Sequence, residues 1–119
     1  MRLSGELRQR TKSFAPSVIR RSISLPRKRL EVAILAKQMI RSGTSVAAHA
    51  RETSRAHSDS EFCSKIDILL QEAYETQFWL KLLEEDCGIS DPTLKQAHQE
   101  TEELLAIFTT IVSRTRNKP

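Results

Sequence analysis

Two pairs of polar residues have a spacing that could support chemistry. Glu72 and Glu75 are three residues apart, and on one helix they would form a carboxylate pair of the kind used in acid and base catalysis. His49 and Glu52 have the same spacing and would place two potential metal ligands on one helix face. The di-iron sites of helical bundles need a Glu-x-x-His pair from each of two helices, and the sequence contains no such pair. The sequence therefore predicts no metal site and no cofactor.

The cysteines and histidines do not point to an enzyme either. Cys63 and Cys87 are separated along one predicted helix by about 36 Å at 1.5 Å per residue, too far for a disulfide. We interpret both as small apolar core residues in a reducing, cytoplasmic protein. His57 and His98 are expected to be solvated or at the edge of the core. Phosphate-binding glycine motifs are absent from the sequence, so we predict a protein without enzymatic activity.

Charge is distributed unevenly along the chain, although the net charge is only +4. Residues 1–30 carry nine Lys or Arg against one acid, whereas residues 31–113 carry seven against fourteen. The tail adds Arg114, Arg116 and Lys118. Such segregation indicates an anionic partner, with nucleic acid or anionic lipid first among the candidates. No apolar run reaches the roughly 18 residues of a membrane-spanning helix, so a soluble protein is expected.

The 119 residues are too few for two domains, and 3 Gly and 4 Pro are too few for the turns of a many-stranded β fold. The sequence predicts a single all-α domain over residues 1–119, with helices at about 4–24, 27–55, 59–87 and 92–114. Short connections between these helices favour an antiparallel, up-down-up-down four-helix bundle.

Local signals fix several helix ends. Ser58 and Glu61 form a capping box that begins the third helix, and Gly88 is expected to end it in a left-handed conformation. Asp91 and Pro92 supply the cap and the first residue of the fourth helix.

The first helix contains Pro16, which is expected to bend or interrupt it because proline removes one backbone hydrogen bond. The basic, serine-containing N-terminus also has the composition of an amphipathic transit peptide. Its apolar residues recur at the spacing of a helix that packs permanently in a bundle, and this interpretation is preferred.

Each predicted helix has an apolar stripe that indicates packing around a shared core. In the first and second helices the stripes are Leu7, Phe14, Val18 and Leu25, then Leu30, Ile34, Leu35, Met39 and Val46. In the third and fourth they are Phe62, Ile66, Leu69, Ala73, Thr76, Leu80 and Leu83, then Leu94, Ala97, Thr101, Leu104, Phe108 and Ile111. Small residues at 42–48 predict the close approach of a neighbouring helix.

The third helix has a second apolar face, formed by Ile68, Trp79 and Leu82, on the side away from the predicted core. A large exposed apolar face favours a subunit interface. Glu75 lies on the same side and is expected to bond an Arg of an adjacent subunit. The alternative is that its neighbours in the same chain bury this helix deeply.

Several motifs resemble one family, the bacterial four-helix-bundle proteins related to the protein encoded in intervening sequences of 23S rRNA genes. The motifs are Ser42-Gly43-Thr44-Ser45-Val46-Ala47-Ala48, Arg51-Glu52, Ser58, Phe62, Lys65, Glu72-Ala73, Glu75-Thr76 and Trp79-Leu80. His49 stands where the family more often has Asn. The resemblance implies a four-helix bundle that assembles as a ring-like homopentamer. It implies no established activity, and nucleic-acid binding is suspected for relatives with basic surfaces.

In the predicted topology, nine basic residues collect at one end of the bundle, where they exceed the nearby acids by five, against an excess of two at the other end. They are Arg2, Arg8, Arg10, Lys12, Arg51, Arg55, Arg114, Arg116 and Lys118. We hypothesise a homo-oligomer that binds RNA or DNA without sequence preference through this basic rim. The alternative hypothesis is a structural adaptor that docks an unidentified protein partner.

Overall fold

Four long α-helices make up most of the chain in a computed structural model, which describes residues 2–119. They are α1 (Gly5–Ile23), α2 (Leu30–Glu52), α3 (Asp59–Lys81) and α4 (Pro92–Arg116). A 3-10 turn over Thr53–Arg55 follows α2, and a π turn over Leu82–Asp86 extends α3. Within residues 2–119 there is no strand, and the chain is all-α as its few glycines and prolines predict. The molecule is a rod of 52 × 21 × 20 Å.

The start of α3 has the predicted cap with one difference. The hydroxyl oxygen of Ser58 accepts a hydrogen bond from the amide of Glu61 at 3.0 Å. The carboxylate of Glu61 accepts from the amide of His57 at 3.2 Å, one residue before the amide expected from the capping box. Both interactions satisfy amides near the helix start that have no partner within the helix.

The connection from α3 to α4 also follows its local signals. Gly88 has a φ of +67°, the left-handed conformation predicted for it. Asp91 accepts a hydrogen bond from the amide of Thr93 at 2.8 Å, and Pro92 occupies the first helical position. Hydrogen bonds from Thr93 hold the pKa of Asp91 below its ordinary value.

Pro16 does not interrupt α1, which is continuous from Gly5 to Ile23, so the expected interruption is wrong. The proline removes only the hydrogen bond to the carbonyl of Lys12. Both residues are exposed, and water can bind the freed carbonyl. Phe14 and Val18 are buried on either side of the proline and hold the helix against the core.

The core confirms most of the predicted stripes. All seven stripe residues of the predicted third helix are buried, six on α3 and Leu83 in the π turn that follows it, as are the four predicted in the first helix and its following turn. On α4, Ile111 is only half-buried, and Val112 takes the buried position beside it. None of the helices in residues 2–119 has the combination of length and apolar character needed to cross a membrane.

The buried face of α2 differs from the predicted stripe. Leu30 and Ile34 are 73% and 52% exposed, so their assignment to the core is wrong. The buried residues are Val32, Ala36, Met39, Ser42, Gly43, Val46 and Ala50. Four of these buried residues are small, because the side of α2 that faces α1 and α3 must leave room for those helices.

Gly43 shows how closely α1 approaches α2. A Cβ atom at this position would lie 3.0 Å from both methyl carbons of Val18 on α1. That distance is well inside normal van der Waals contact, and only glycine fits without a shift of the valine. The small-residue stretch therefore lets a neighbouring helix come close, as its composition predicts.

We expect Gly43→Ala to lower the free energy of unfolding. The overpacking cost of about 1–3 kcal/mol exceeds the gain of about 1 kcal/mol that alanine brings to a helix interior. Urea unfolding followed by circular dichroism measures the difference. Gly5→Ala is the matched control, because its Cβ would meet only the end of the Arg8 side chain at 3.9 Å.

A second comparison tests the contact itself. In a Val18→Ala background the added methyl group has room, so Gly43→Ala should no longer destabilise the protein. Equal effects of Gly43→Ala with and without Val18→Ala would contradict this explanation.

Candidate nucleic-acid interface

The nine residues predicted for the basic end fall into two groups. Four form ion pairs: Arg10 with Glu100 and Glu103, Arg55 with Glu52, Arg116 with Asp67, and Lys118 with Asp59. Within residues 2–119, no ion pair involves the other five, which are Arg2, Arg8, Lys12, Arg51 and Arg114. The uncompensated charge is therefore concentrated on fewer side chains than the sequence suggests.

Arg10 joins α1 to α4. Its Nε and Nη2 atoms donate to the two carboxylate oxygens of Glu100 at 2.8 and 2.6 Å, and Nη2 also donates to Glu103 at 2.7 Å. These hydrogen bonds raise the pKa of Arg10 above its ordinary value and lower the pKa of Glu103. The bidentate geometry makes Arg10 a clamp between helices.

The C-terminal cations are held in a similar way. Arg116 donates from two nitrogens to the carboxylate of Asp67 at 3.2 and 2.6 Å, and Nζ of Lys118 lies 3.4 Å from a carboxylate oxygen of Asp59. Both contacts join the end of α4 to α3. The sequence-based count of this end left out Asp67, which lies two turns into α3 but within reach of a long arginine side chain.

Arg8, Lys12 and Arg51 line a groove of about 640 Å³ between α1 and α2. The two helices place small side chains along it: Ala15, Ala47, Ala48 and Ala50. All three cations are exposed. The sequence predicts these residues at one end of the bundle, but it does not predict the groove between them. The small-residue stretch at 42–48 is the sequence feature that could have indicated the groove.

The carboxylate pair on α3 is neutralised within the same chain. Arg41 of α2 lies 3.2 Å from Glu72 and 2.6 Å from Glu75, so both carboxylates have an ion-pair partner within the same chain. The bond expected between Glu75 and an adjacent subunit stays a prediction. The hydrogen bond with Glu75 raises the pKa of Arg41. Beneath this pair, the buried hydroxyl oxygens of Ser42 and Thr76 are 2.8 Å apart.

The predicted interface residues occupy different environments. Ile68 is 44% exposed, whereas Trp79 is half-buried and packs against the core. The expectation that the indole lies away from the core is wrong, because α3 packs against both α2 and α4 and its flanks are partly covered. Leu82 is half-buried. The exposed aromatic side chains of α3 are instead Tyr74 and Phe78, which the sequence interpretation missed.

The histidines are engaged locally. Nδ1 of His49 lies 2.8 Å from the backbone oxygen of Ser45 in the preceding turn. His98 lies between two carboxylates, 3.3 Å from Glu84 and 3.1 Å from Glu102. Across residues 2–119, no group of three or more potential ligands is arranged to hold a metal ion.

Over residues 5–110, the sequence matches the family model described as 23S rRNA-intervening sequence protein. The chain belongs to this family. It is also similar to the crystal structure of a protein of unknown function from the S23 ribosomal protein family of Bacteroides thetaiotaomicron, with 28% identity and a TM-score of 0.76. That similarity covers 88% of this chain and 96% of the other. No functionally curated protein matches the chain.

Membership of the family agrees with the motifs that suggested it. Ser42 and Thr76 join α2 to α3 through a buried hydrogen bond, and Gly43 faces Val18 of α1. Glu72 and Glu75 form the ion pairs with Arg41. These motif residues hold helices together in this chain. Of the cations that line the groove, Arg51 lies on α2, whereas Arg8 and Lys12 lie on α1.

We expect the Arg10 clamp to make stability depend on pH. Because the pKa of Glu103 is lowered in the folded state, its ion pair stabilises the fold above the ordinary glutamate pKa of about 4.3 and loses this effect as pH falls through the lowered value. Arg10→Gln should therefore lower the melting temperature at neutral pH, and the difference from wild type should shrink in acid.

Thermal unfolding across that range measures the effect. Arg20→Gln removes an exposed cation from the same helix that forms no ion pair within residues 2–119, and serves as control. If the two variants lose equal stability at every pH, the clamp does not have the role assigned to it.

Proposed function

We propose that the protein is a non-enzymatic, antiparallel four-helix bundle that assembles as a ring-like homo-oligomer and binds nucleic acid through its basic end. Side-chain contacts at the helix ends support the antiparallel arrangement. Arg21 of α1 donates from Nε to the backbone oxygen of Thr93, so the end of α1 lies beside the start of α4. Arg29 donates from Nη1 to the backbone oxygen of Cys87, which brings the start of α2 to the end of α3.

The carrying observation is a cluster of cations at the basic end that have no acidic partner. Glu100 lies 2.6 Å from Arg10 and belongs to this end, so residues 2–13, 44–70 and 100–119 carry ten Lys or Arg and eight Asp or Glu. The excess at this end is two, not the five estimated from the sequence, and the rest of residues 2–119 carries nine and seven. Arg8, Lys12 and Arg51 nevertheless line one groove in which no residue is acidic, and none of them forms an ion pair within residues 2–119. The groove is therefore a local excess of three positive charges.

An excess of this size attracts phosphates without providing sequence recognition. Each phosphate neutralised by Lys or Arg releases counterions, and the resulting affinity falls with salt. A ring of copies would present the basic end several times, so that individually weak contacts add through effective concentration. Family resemblance suggests five copies, and the proposed ring is therefore a homopentamer.

We expect the purified protein to bind mixed-sequence, fluorescently labelled RNA at low salt and to lose that binding steeply as salt increases. The logarithm of the binding constant should fall linearly with the logarithm of salt concentration, with a slope of about −0.7 per single-strand phosphate contact. Fluorescence anisotropy measures both quantities. Absence of binding to RNA and to DNA at low salt would refute the nucleic-acid function.

The alternative function is that of an adaptor for a protein partner, and one observation favours it. Tyr74 and Phe78 are exposed on α3 at 56% and 52%, and they lie together in an open pocket next to His98 and Glu102. Exposed aromatic residues are common in the centres of protein interfaces. A protein that assembles but binds no nucleic acid would favour this second function.

Assembly is tested at Ile68. We expect Ile68→Glu to dissociate the oligomer, because a charge placed in a desolvated interface has no partner. Light scattering gives the mass, and circular dichroism checks the fold. Ile19→Glu is a closely matched control on α1, since the two isoleucines are 44% and 45% exposed. Trp79→Glu is less informative, because Trp79 packs against its own core. A monomeric wild type, or an Ile68→Glu oligomer of native mass, would contradict the assignment.

A further inference from the structure

We propose that the groove between α1 and α2 binds the sugar-phosphate backbone of single-stranded nucleic acid. This inference rests on the nucleic-acid function proposed above and assigns it to one surface. The groove is defined by Arg8 and Lys12 on α1 and by Arg51 on α2. The remaining uncompensated cations of the basic end, Arg2 and Arg114, do not line it.

The cations are arranged to contact successive phosphates. Arg8 and Lys12 are one turn apart on α1, a rise of about 6 Å, comparable to the distance between neighbouring phosphates on one extended strand. Arg51 approaches from the opposite wall. None of the three is engaged in an ion pair within residues 2–119, so a phosphate would not have to displace a carboxylate.

The rest of the groove lets a backbone approach without reading its bases. Small side chains such as Ala15, Ala47 and Ala48 leave space between the cations. Among the described residues that line the groove, none is acidic and none is aromatic, so carboxylates do not repel a phosphate and bases have no ring to stack on. Binding through phosphates alone is independent of sequence.

The hydroxyl groups in the groove are already used by the helix. Thr44 donates to the backbone oxygen of Ile40 at 2.7 Å, and Ser54 donates to that of Arg51 at 2.9 Å. Their hydrogen atoms are unavailable to a phosphate in this geometry. Recognition must therefore come from the three charges.

The dimensions of the groove favour one strand over two. The groove between α1 and α2 has a volume of about 640 Å³. This space can hold part of one sugar-phosphate strand, whereas a duplex is too wide to enter and would touch only the rim. We therefore expect tighter binding of single-stranded RNA or DNA than of duplexes of the same length.

The first test introduces one negative charge into the groove. Ala48 is exposed and lines the groove on α2, whereas Ala106 is exposed on α4 and does not line it. Ala48→Glu and Ala106→Glu change the net charge equally. We expect Ala48→Glu to weaken binding of labelled, mixed-sequence single-stranded RNA much more than Ala106→Glu, with both proteins retaining wild-type helicity and mass.

The second test counts the contacts. The test variant combines Arg8→Gln, Lys12→Gln and Arg51→Gln. Each lost phosphate contact should reduce the magnitude of the salt slope for single-stranded RNA by about 0.7, so the three losses together reduce it by about 2. The control combines Arg20→Gln, Arg27→Gln and Lys28→Gln, which removes three exposed cations from the other half of the rod. This control should leave the slope nearly unchanged.

The outcomes separate this inference from the function on which it rests. If wild type binds RNA but both triple variants lose the same slope, the groove is not the site and the general function stands. Equal binding of duplex and single strand would also overturn the groove proposal. If wild type binds no nucleic acid but binds an acidic helical peptide in a manner sensitive to Ala48→Glu, the occupant is a protein and both proposals are wrong.

Discussion

The close contact between Gly43 and Val18 sets the separation of α1 and α2, and much of the surface depends on that separation. Because no side chain extends from Gly43, the valine can pack almost against the backbone of α2. The same closeness brings Arg8 and Lys12 to the opposite side of a shared groove from Arg51. A packing requirement in the interior thereby determines the spacing of charges outside.

Ion pairs divide the basic side chains into two classes with different consequences. Arg10 and Arg116 bind carboxylates on neighbouring helices, so their hydrogen bonds stabilise the packing of the helices. Arg8, Lys12 and Arg51 lie where the facing helix has alanines. Arginine and lysine therefore have two different roles in this chain. Those that face an acid on the adjacent helix hold the helices together, and those that face no acid leave a positive charge on the surface.

Sequence patterns predicted the features that depend on local rules. The cap at Ser58, the left-handed Gly88 and the regular stripe of α3 follow from backbone geometry or helix periodicity, and each is present. The sequence analysis missed the buried face of α2 because it followed large apolar residues such as Leu30 and Ile34. In the structure, the face of α2 that packs against the neighbouring helices is the one whose small residues leave space for them. The ion pairs of Arg41 join two helices, so they depend on how far its side chain reaches across to α3. The pattern of residues along one helix does not contain this information.

The environment of Trp79 gives the molecule a built-in optical reporter. It is the single tryptophan of the chain, and its Nε1 is buried with no hydrogen-bond partner in residues 2–119. Indole emission shifts to shorter wavelengths where water is excluded, and the ring of Phe78 is centred 5.2 Å away. Tryptophan emission from an unlabelled sample therefore comes from one known location on α3, and a rearrangement that admits water to the indole shifts that emission to longer wavelengths.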